Sequence, residues 1–451
     1  MTTEMENIEA LEHEGIGKLL RRLSIPSIAG MLVQSLYNIV DAFFVGRSVG
    51  PHGIAAVSVA FPFQITVMAV ALMLGIGGVS LMSASLGERN SERAERIFGT
   101  VVSVSLLWGV FVAFVNVFFA DAFVRLLGAS EDIAPAAARY VRIVAVGVPF
   151  FSCSIVGNNA ARSEGNARLA MCTTLISGLM NCLLDPLFIF VFELGVAGAA
   201  WATVLSQALG ALWLAAYHFG GKSVIRLRAR YLRPDASLLG RVVSVGFSAF
   251  ARQFGLAFTI GVLNNIFVHY GGPMALAAYG IIQRVYAIAI LLLQGIVEGL
   301  LPIVGYNWGA KNYGRVDEAL WLSSVAGTGV CVLDAILLVF FPEPLFAAFS
   351  DDPRLLEAGV TGARIIGSGI ALVGFQFVVS GFYQGIGRGG PALCFSALRQ
   401  IVLLPPLIYM LASRFGIHGA WWAFPAADSI ALTIASAWFY WDKRRGFLRK
   451  E

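Results

Sequence analysis

Charge is scarce in this sequence. Only 13% of its 451 residues are Asp, Glu, Lys or Arg, against 58% hydrophobic. Soluble domains carry about 25% charged residues, and a soluble chain of this length would need a polar shell around two to four cores. The 59 charges present, 32 basic and 27 acidic, are too few for that. Lipid is the solvent that fits, and disorder, coiled coil and collagen-like repeats are excluded by the same composition. Cysteine is also sparse. Cys153, Cys172, Cys182, Cys331 and Cys394 are odd in number, lie in apolar segments and form no CxxC pair, so they read as small packing residues rather than disulfides or metal ligands. The five His form no metal-binding pair at helical spacing.

Catalytic and phosphate-binding motifs are missing too. Gly221-Lys222-Ser223 resembles the end of a P-loop, but the required first glycine falls on Ala216. Gly385, Gly387 and Gly390 match GxGxxG on a short loop between apolar runs. Without a βαβ unit they read as a tight turn. No nucleophile–base pair suggests an enzyme, and no cofactor is implied. The excess of five positive charges comes without a basic stripe interleaved with aromatics, so no nucleic-acid partner is expected. Five Glu in the first 14 residues oppose a basic signal-peptide start. Residues 1–22 are read as a cytoplasmic segment whose second part, with Lys18, Arg21 and Arg22, is an amphipathic lead-in lying on the inner surface.

What the chain does have is long apolar runs. A spanning helix needs about 20 such residues. Twelve runs qualify, near residues 24–46, 54–84, 97–120, 136–157, 168–192, 197–219, 241–268, 274–303, 319–341, 357–382, 391–413 and 418–440. Their periodicity is never the alternation of a membrane barrel. If both termini are cytoplasmic, the inner segments hold 22 basic residues and the outer loops four (Arg47, Arg125, Arg354 and Arg414), as the positive-inside bias requires.

The two halves repeat. Gly50-Pro51 matches Gly272-Pro273, and Gly87-Glu88-Arg89-Asn90 matches Gly309-Ala310-Lys311-Asn312, at a shift of 222; Gly195, Gly198 and Trp201 match Gly416, Gly419 and Trp422 at 221. Each half has an even number of spans, so the repeats are parallel, related by an axis along the membrane normal. The expected architecture is an all-α polytopic membrane protein with two pseudo-symmetric six-helix bundles, 23–219 and 241–441. A basic linker, 220–240, joins them and a basic tail, 442–451, follows.

Polar groups inside spans are costly, about 2.5–3.5 kcal/mol for an acid at the bilayer centre, so they mark candidate sites. In the first span Gln34, Tyr37 or Asn38, and Asp41 share one face; in the fifth, Asn181 and Asp185 are one turn apart; Asn158 closes the fourth, and Thr203 and Gln207 share a face of the sixth. Their repeat partners are Leu263 for Asp41, Val402 for Asn181, Pro406 for Asp185 and Phe424 for Thr203. The scaffold is duplicated and this cluster is not, which favours a cation site over polar glue. In the second half Glu298, Asp334 and Asp428 are acids within spans, and Arg252, Arg284 and Arg399 are bases within spans, each beside a Gln. Internal ion pairing is the expected reading there, with Glu298 and Arg284 kept as substrate-contacting candidates.

These features resemble the multidrug and toxic compound extrusion (MATE) transporters over essentially the whole chain. The resemblance rests on Ile25-Pro26 before Asp41, the Gly87 loop, Asn158 with Arg162 and Gly165, Asn181 with Asp185, and Gly195 to Ala200 before Thr203. It is similar to the DinF-like prokaryotic branch. That implies a multi-pass monomer in a prokaryotic plasma (inner) membrane. It implies a site for a coupling H⁺ or Na⁺ at Asp41, Asn181, Asp185 and Thr203, with Tyr37, Tyr140 and Asn158 nearby and a bend at Pro26. It further implies amphipathic, cationic small-molecule substrates exported by antiport. Two carboxylates in low dielectric cannot both ionise cheaply, so a proton or a Na⁺ between Asp41 and Asp185 is expected. A lipid-linked oligosaccharide flippase is the alternative, favoured if Arg252, Arg284 and Arg399 point into the cavity rather than pairing with Glu298 or Asp428.

Overall fold

The computed structural model describes residues 3–350 and 352–445, and among these every regular element is helical. In chain order they are α1 (Thr3–His13), α2 (Ile16–Val49), α3 (Pro51–Gly87), α4 (Ser91–Leu126), α5 (Ala134–Ser163), α6 (Ala167–Pro186) and α7 (Val196–Phe219). The second half holds α8 (Ala236–Gly309), α9 (Tyr313–Phe340), α10 (Pro342–Ala347), α11 (Pro353–Ile370), α12 (Val373–Gly385), α13 (Gly389–Ala397) and α14 (Leu404–Arg444). Nine continuous helical stretches are long and apolar enough to cross a membrane. Two of them are double. Ala236–Gly309 turns back at Gly272, and Gly389–Arg444 turns at Gly416. The pair α11 and α12, bent by 45°, forms one more span, which brings the described residues to the twelve expected. The tail beyond 445, with Arg449 and Lys450, lies outside them.

The repeat seen in the sequence is written in the backbone. Gly50 and Gly272 both take positive φ (69° and 68°), as do Arg89 and Lys311 (58° and 60°) and Gly195 and Gly416 (56° and 60°). Gly165 and Gly387 add a pair that the sequence comparison had not matched (78° and 75°). A residue with Cβ adopts this region only at a cost, so the same strained corners recur because the same turns recur.

One hydrophobic core joins the two lobes, and the others among the described residues lie within single lobes. The shared core collects Leu19, Leu74, Phe98, Val242, Leu300, Tyr306 and Phe382, all near the end that carries the basic loops. Toward the opposite end each lobe keeps its own core, around Val141 in the first and Phe267 in the second. At the basic end the lobes meet backbone to backbone. A Cβ on Gly246 would lie 1.8 Å from the Met73 carbonyl oxygen, and one on Gly77 2.0 Å from that of Val242. Glycine is required there by contact, not by φ. Farther along, Leu36, Ile39 and Phe43 of α2 and Phe254 and Phe258 of α8 are exposed. The lobes share a core and close backbone contacts at the basic end, and away from it each packs about its own core.

The chain's first residues differ from their expected place. Ile16–Val49 is one continuous helix, and Ile16, Leu19 and Leu23 are buried in the shared core rather than lying on a surface. Helix α1 is docked beneath both lobes. Glu12 accepts a hydrogen bond from the Tyr306 hydroxyl at 3.0 Å, and Arg315 donates to the Leu11 and Glu14 carbonyls at 3.2 and 2.8 Å.

The basic linker is tied down by an acid. Glu164, at the end of α5, is fully buried; it accepts hydrogen bonds from Ser223 Oγ, from the Ile225 N–H at 2.6 Å and from Tyr217 Oη at 3.0 Å. Burial nonetheless pushes its carboxyl from 4.5 up to about 7. A raised folded-state value means that its stabilising contribution is complete below about pH 4.5 and is lost as pH climbs through about 7. Glu164→Gln cannot titrate. The wild-type Tm minus the variant Tm is therefore expected to fall between pH 5 and pH 8, as read by thermal unfolding. An equal difference at both pH values contradicts the assignment.

Candidate functional site

Asp41 and Asp185 meet inside the first lobe. Gly178, Asn181 and Asp185 fall on one face of α6 at helical spacing. The missing side chain at Gly178 lets Tyr37 of α2 lie across it, with Tyr37 Cδ1 3.3 Å from where a Cβ would stand. One turn on, the carboxyl group of Asp41 comes within hydrogen-bonding range of Asp185. Asn181 Nδ2 donates to Asp185 Oδ1 at 3.3 Å. Tyr37, itself within hydrogen-bonding range of Gln34, and the buried Tyr140 both lie close enough to interact electrostatically with the two acids. Proline after Asp185 removes the N–H that the Cys182 carbonyl would have received, and the helix widens into a π turn over Leu187–Val191. Such widenings are frequent at functional sites.

The cluster is rich in acceptors and short of donors. Asp41 Oδ1, Asp185 Oδ2 and Asn181 Oδ1 are all buried without a hydrogen-bond partner among the described residues. Buried oxygens are normally satisfied, and a set of unpaired oxygens beside two carboxylates is the chemistry that takes a proton or a hard cation. Among the described residues no three His, Cys, Asp or Glu side chains converge, so a cation here would rely on two carboxylates and the Asn181 amide oxygen.

The structure gathers Gln34, Tyr37, Asp41, Tyr140, Asn181 and Asp185. It does not record a contact from the others to the acids. Thr203 donates its hydroxyl to the Ala199 carbonyl of its own helix at 3.0 Å. Gln207 lies against Gly147. Asn158 has a buried Oδ1 with no partner among the described residues, and Asn38 is exposed. Pro26 sits inside α2 near its basic end. One member was missed. Gln64 of α3 donates to Tyr140 Oη at 3.0 Å, and an amide in an apolar span is the same signal that marked Gln34.

Among the described residues the expected second-lobe pairing is only partly present, since Arg252, Arg284 and Asp334 form no ion pair. Arg399 Nε bonds Asp428. Glu298 pairs at 2.8 Å with Arg162 of the opposite lobe, both nearly buried, rather than with a base of its own lobe. Arg284 is exposed, its guanidinium 5.9 Å from the Phe349 ring centroid. Asp334 is buried, and its Oδ2 has no partner among the described residues.

Two parallel six-span lobes, closed against each other at one end and carrying buried ionisable groups within the spans, define a polytopic membrane transporter. The MatE family model matches residues 26–187 and 253–410, and the chain belongs to that family. It is 26% identical over 431 residues to the multidrug export protein MepA of Staphylococcus aureus (strain MRSA252), covering 95% of each chain. Among solved structures it is similar to a MATE protein crystallised in a bent conformation (TM-score 0.91, 25% identity, 100% of this chain and 99% of that one). It is also similar to an outward-facing multidrug resistance MATE family transporter of the MOP superfamily (TM-score 0.89, 25% identity, both chains covered fully).

Proposed function

We propose that the chain is a secondary antiporter that exports amphipathic organic compounds, cationic ones among them, in exchange for H⁺ or Na⁺ by alternating access of its two lobes. The observation that carries this reading is the Asp41–Asp185 pair with its unpartnered oxygens. Its likeness to a multidrug export protein supports the substrate class. The coupling ion binds between the carboxylates, with Asn181 supplying an amide oxygen and Tyr37 and Tyr140 flanking it. Pro26 gives α2 a place to bend as the site fills, since proline removes one helical hydrogen bond. The positive-inside bias supports a cytoplasmic location for the closed, basic end, and on that reading the described conformation opens outward. One charge crossing about 100 mV supplies about 2.3 kcal/mol, which sustains roughly a 40-fold substrate gradient.

Ethidium efflux from proteoliposomes tests this, with a pH gradient and a Na⁺ gradient imposed separately. Acceleration by at least one gradient is expected, and the responsive gradient names the ion. Efflux indifferent to both overturns antiport. The flippase alternative meets its condition at one arginine of three and is not favoured: Arg252 lines the second-lobe cavity without an ion pair, Arg399 lines it but is held by Asp428, and Arg284 is exposed away from the lining.

A further inference from the structure

The second lobe contains a cavity of its own, about 120 Å³, between the two spans of α8, the helices α12 and α13 and the turn that follows α13. No acid lines it. Its polar wall consists of Arg252, Arg399, four glutamines and two serines. Its apolar wall includes Tyr286, Phe377 and Phe395.

The charge there is not balanced. Arg399 is paired with Asp428 and also donates to Gln400 Oε1 at 3.2 Å. Glu298, the acid within electrostatic reach of Arg252, is in contact with Arg162 at 2.8 Å. Arg252 Nη1 is buried with no hydrogen-bond partner among the described residues, and its guanidinium rests 5.2 Å from the Phe377 ring centroid. Asp334 approaches Tyr286 and Cys331 but does not line the cavity. A buried donor with nothing to bind is costly.

The local backbone is shaped to present this wall. Arg399 and Gln400 sit on a π turn, Leu398–Leu403, and the Gln400 carbonyl it releases accepts from Thr259 Oγ1 at 2.5 Å. The first-lobe cluster offers unpaired acceptors to a cation; this one offers an unpaired donor with a full positive charge, beside aromatic surface.

We propose that the second-lobe cavity binds the anionic group of an amphiphile, a monoanion such as a sulfonate or carboxylate with an apolar body, with Arg252 as its counter-charge. One unbalanced guanidinium matches one negative charge, and the planar fork suits a two-oxygen acceptor. The aromatic wall takes the apolar body. This extends the exporter reading, on which it rests, to anionic and zwitterionic substrates.

The test is equilibrium dialysis of the full chain in phosphatidylcholine nanodiscs. The probes are 1-anilinonaphthalene-8-sulfonate and, as a cation, ethidium, with empty nanodiscs subtracted. Arg252→Gln is expected to lower the ratio of sulfonate to ethidium affinity at least about tenfold, as expected for loss of a charge-assisted contact. Arg252→Lys keeps the charge but loses the fork and is expected to give a ratio between those of the wild type and Arg252→Gln, which guards against a variant that simply misfolds. A wild type that does not bind the sulfonate, or an Arg252→Gln ratio equal to the wild type's, overturns the proposal. Repeating the dialysis with phosphatidylglycerol in the nanodisc separates two sources of the anion. Competition marks the site as one that also takes a lipid headgroup, and none marks it as specific for the soluble amphiphile. Failure of gradient-driven ethidium efflux alongside intact sulfonate binding would reject the exporter reading and leave this site standing.

Discussion

Asp41→Asn and Asp185→Asn are each expected to reduce gradient-driven efflux at least about a hundredfold while leaving a folded protein. The amide is nearly isosteric with the carboxylate, so α2 and α6 pack as before around Gly178 and Tyr37. It cannot carry the exchanged proton, and it is a far weaker ligand for Na⁺. In the wild type, two carboxyl groups in mutual hydrogen-bonding range hold a cation because both cannot stay charged and bare in low dielectric. Replacing either leaves one acid, with no repulsion for a cation to relieve. Driven transport then falls to leak, while ethidium binding in the absence of a gradient survives, since no coupling is drawn on. The measurement is efflux from proteoliposomes under the gradient that drives the wild type, with size-exclusion elution as the folding control. Full driven efflux by either variant would remove the carboxylate pair from the mechanism.

Much of this site was legible because the membrane makes polar residues conspicuous. In a span where an acid is costly, Asp41 and Asp185 stand out in the first half, and helical spacing puts Asn181 and Tyr37 on the right faces. The asymmetry was legible too. Leu263 and Phe424, the repeat partners of Asp41 and Thr203, are buried apolar residues, and Phe424 belongs to an aromatic group with Phe267 and Tyr279. What spacing cannot supply is which face meets which helix. Thr203 carries the right atom on the right helix, yet its hydroxyl turns back to Ala199. Arg162 and Glu298 are separated by a whole bundle in sequence, so their contact depends on how the lobes dock. The continuous α2 was hidden for a related reason. Lys18, Arg21 and Arg22 look like a surface helix, but each is a long side chain able to reach water from a helix whose other face, with Leu19 and Leu23, is buried.

The Arg162–Glu298 contact carries the other large effect. It joins the lobes only while the basic end is closed, so its loss acts on the closed state selectively. Removing one member of a buried ion pair costs about 3–5 kcal/mol because the remaining charge keeps its desolvation penalty. Part of that penalty is relieved here by Arg252, which lies within electrostatic reach of Glu298. Even about 3 kcal/mol applied to one conformation shifts a two-state ratio more than a hundredfold. Arg162→Ala and Glu298→Gln are therefore expected to populate conformations open at the basic end. Spin labels at the exposed Ser91 and Gly314, in a background lacking the native cysteines, report this as a distance distribution. Wild type should give one short, narrow distance, and each single variant a broad or longer one. The exchange Arg162→Glu with Glu298→Arg restores the opposite charges across the same gap and should recover the short distance in part. Single variants that keep the wild-type distribution would show that the backbone contacts at Gly77 and Gly246, rather than this ion pair, hold the closed end.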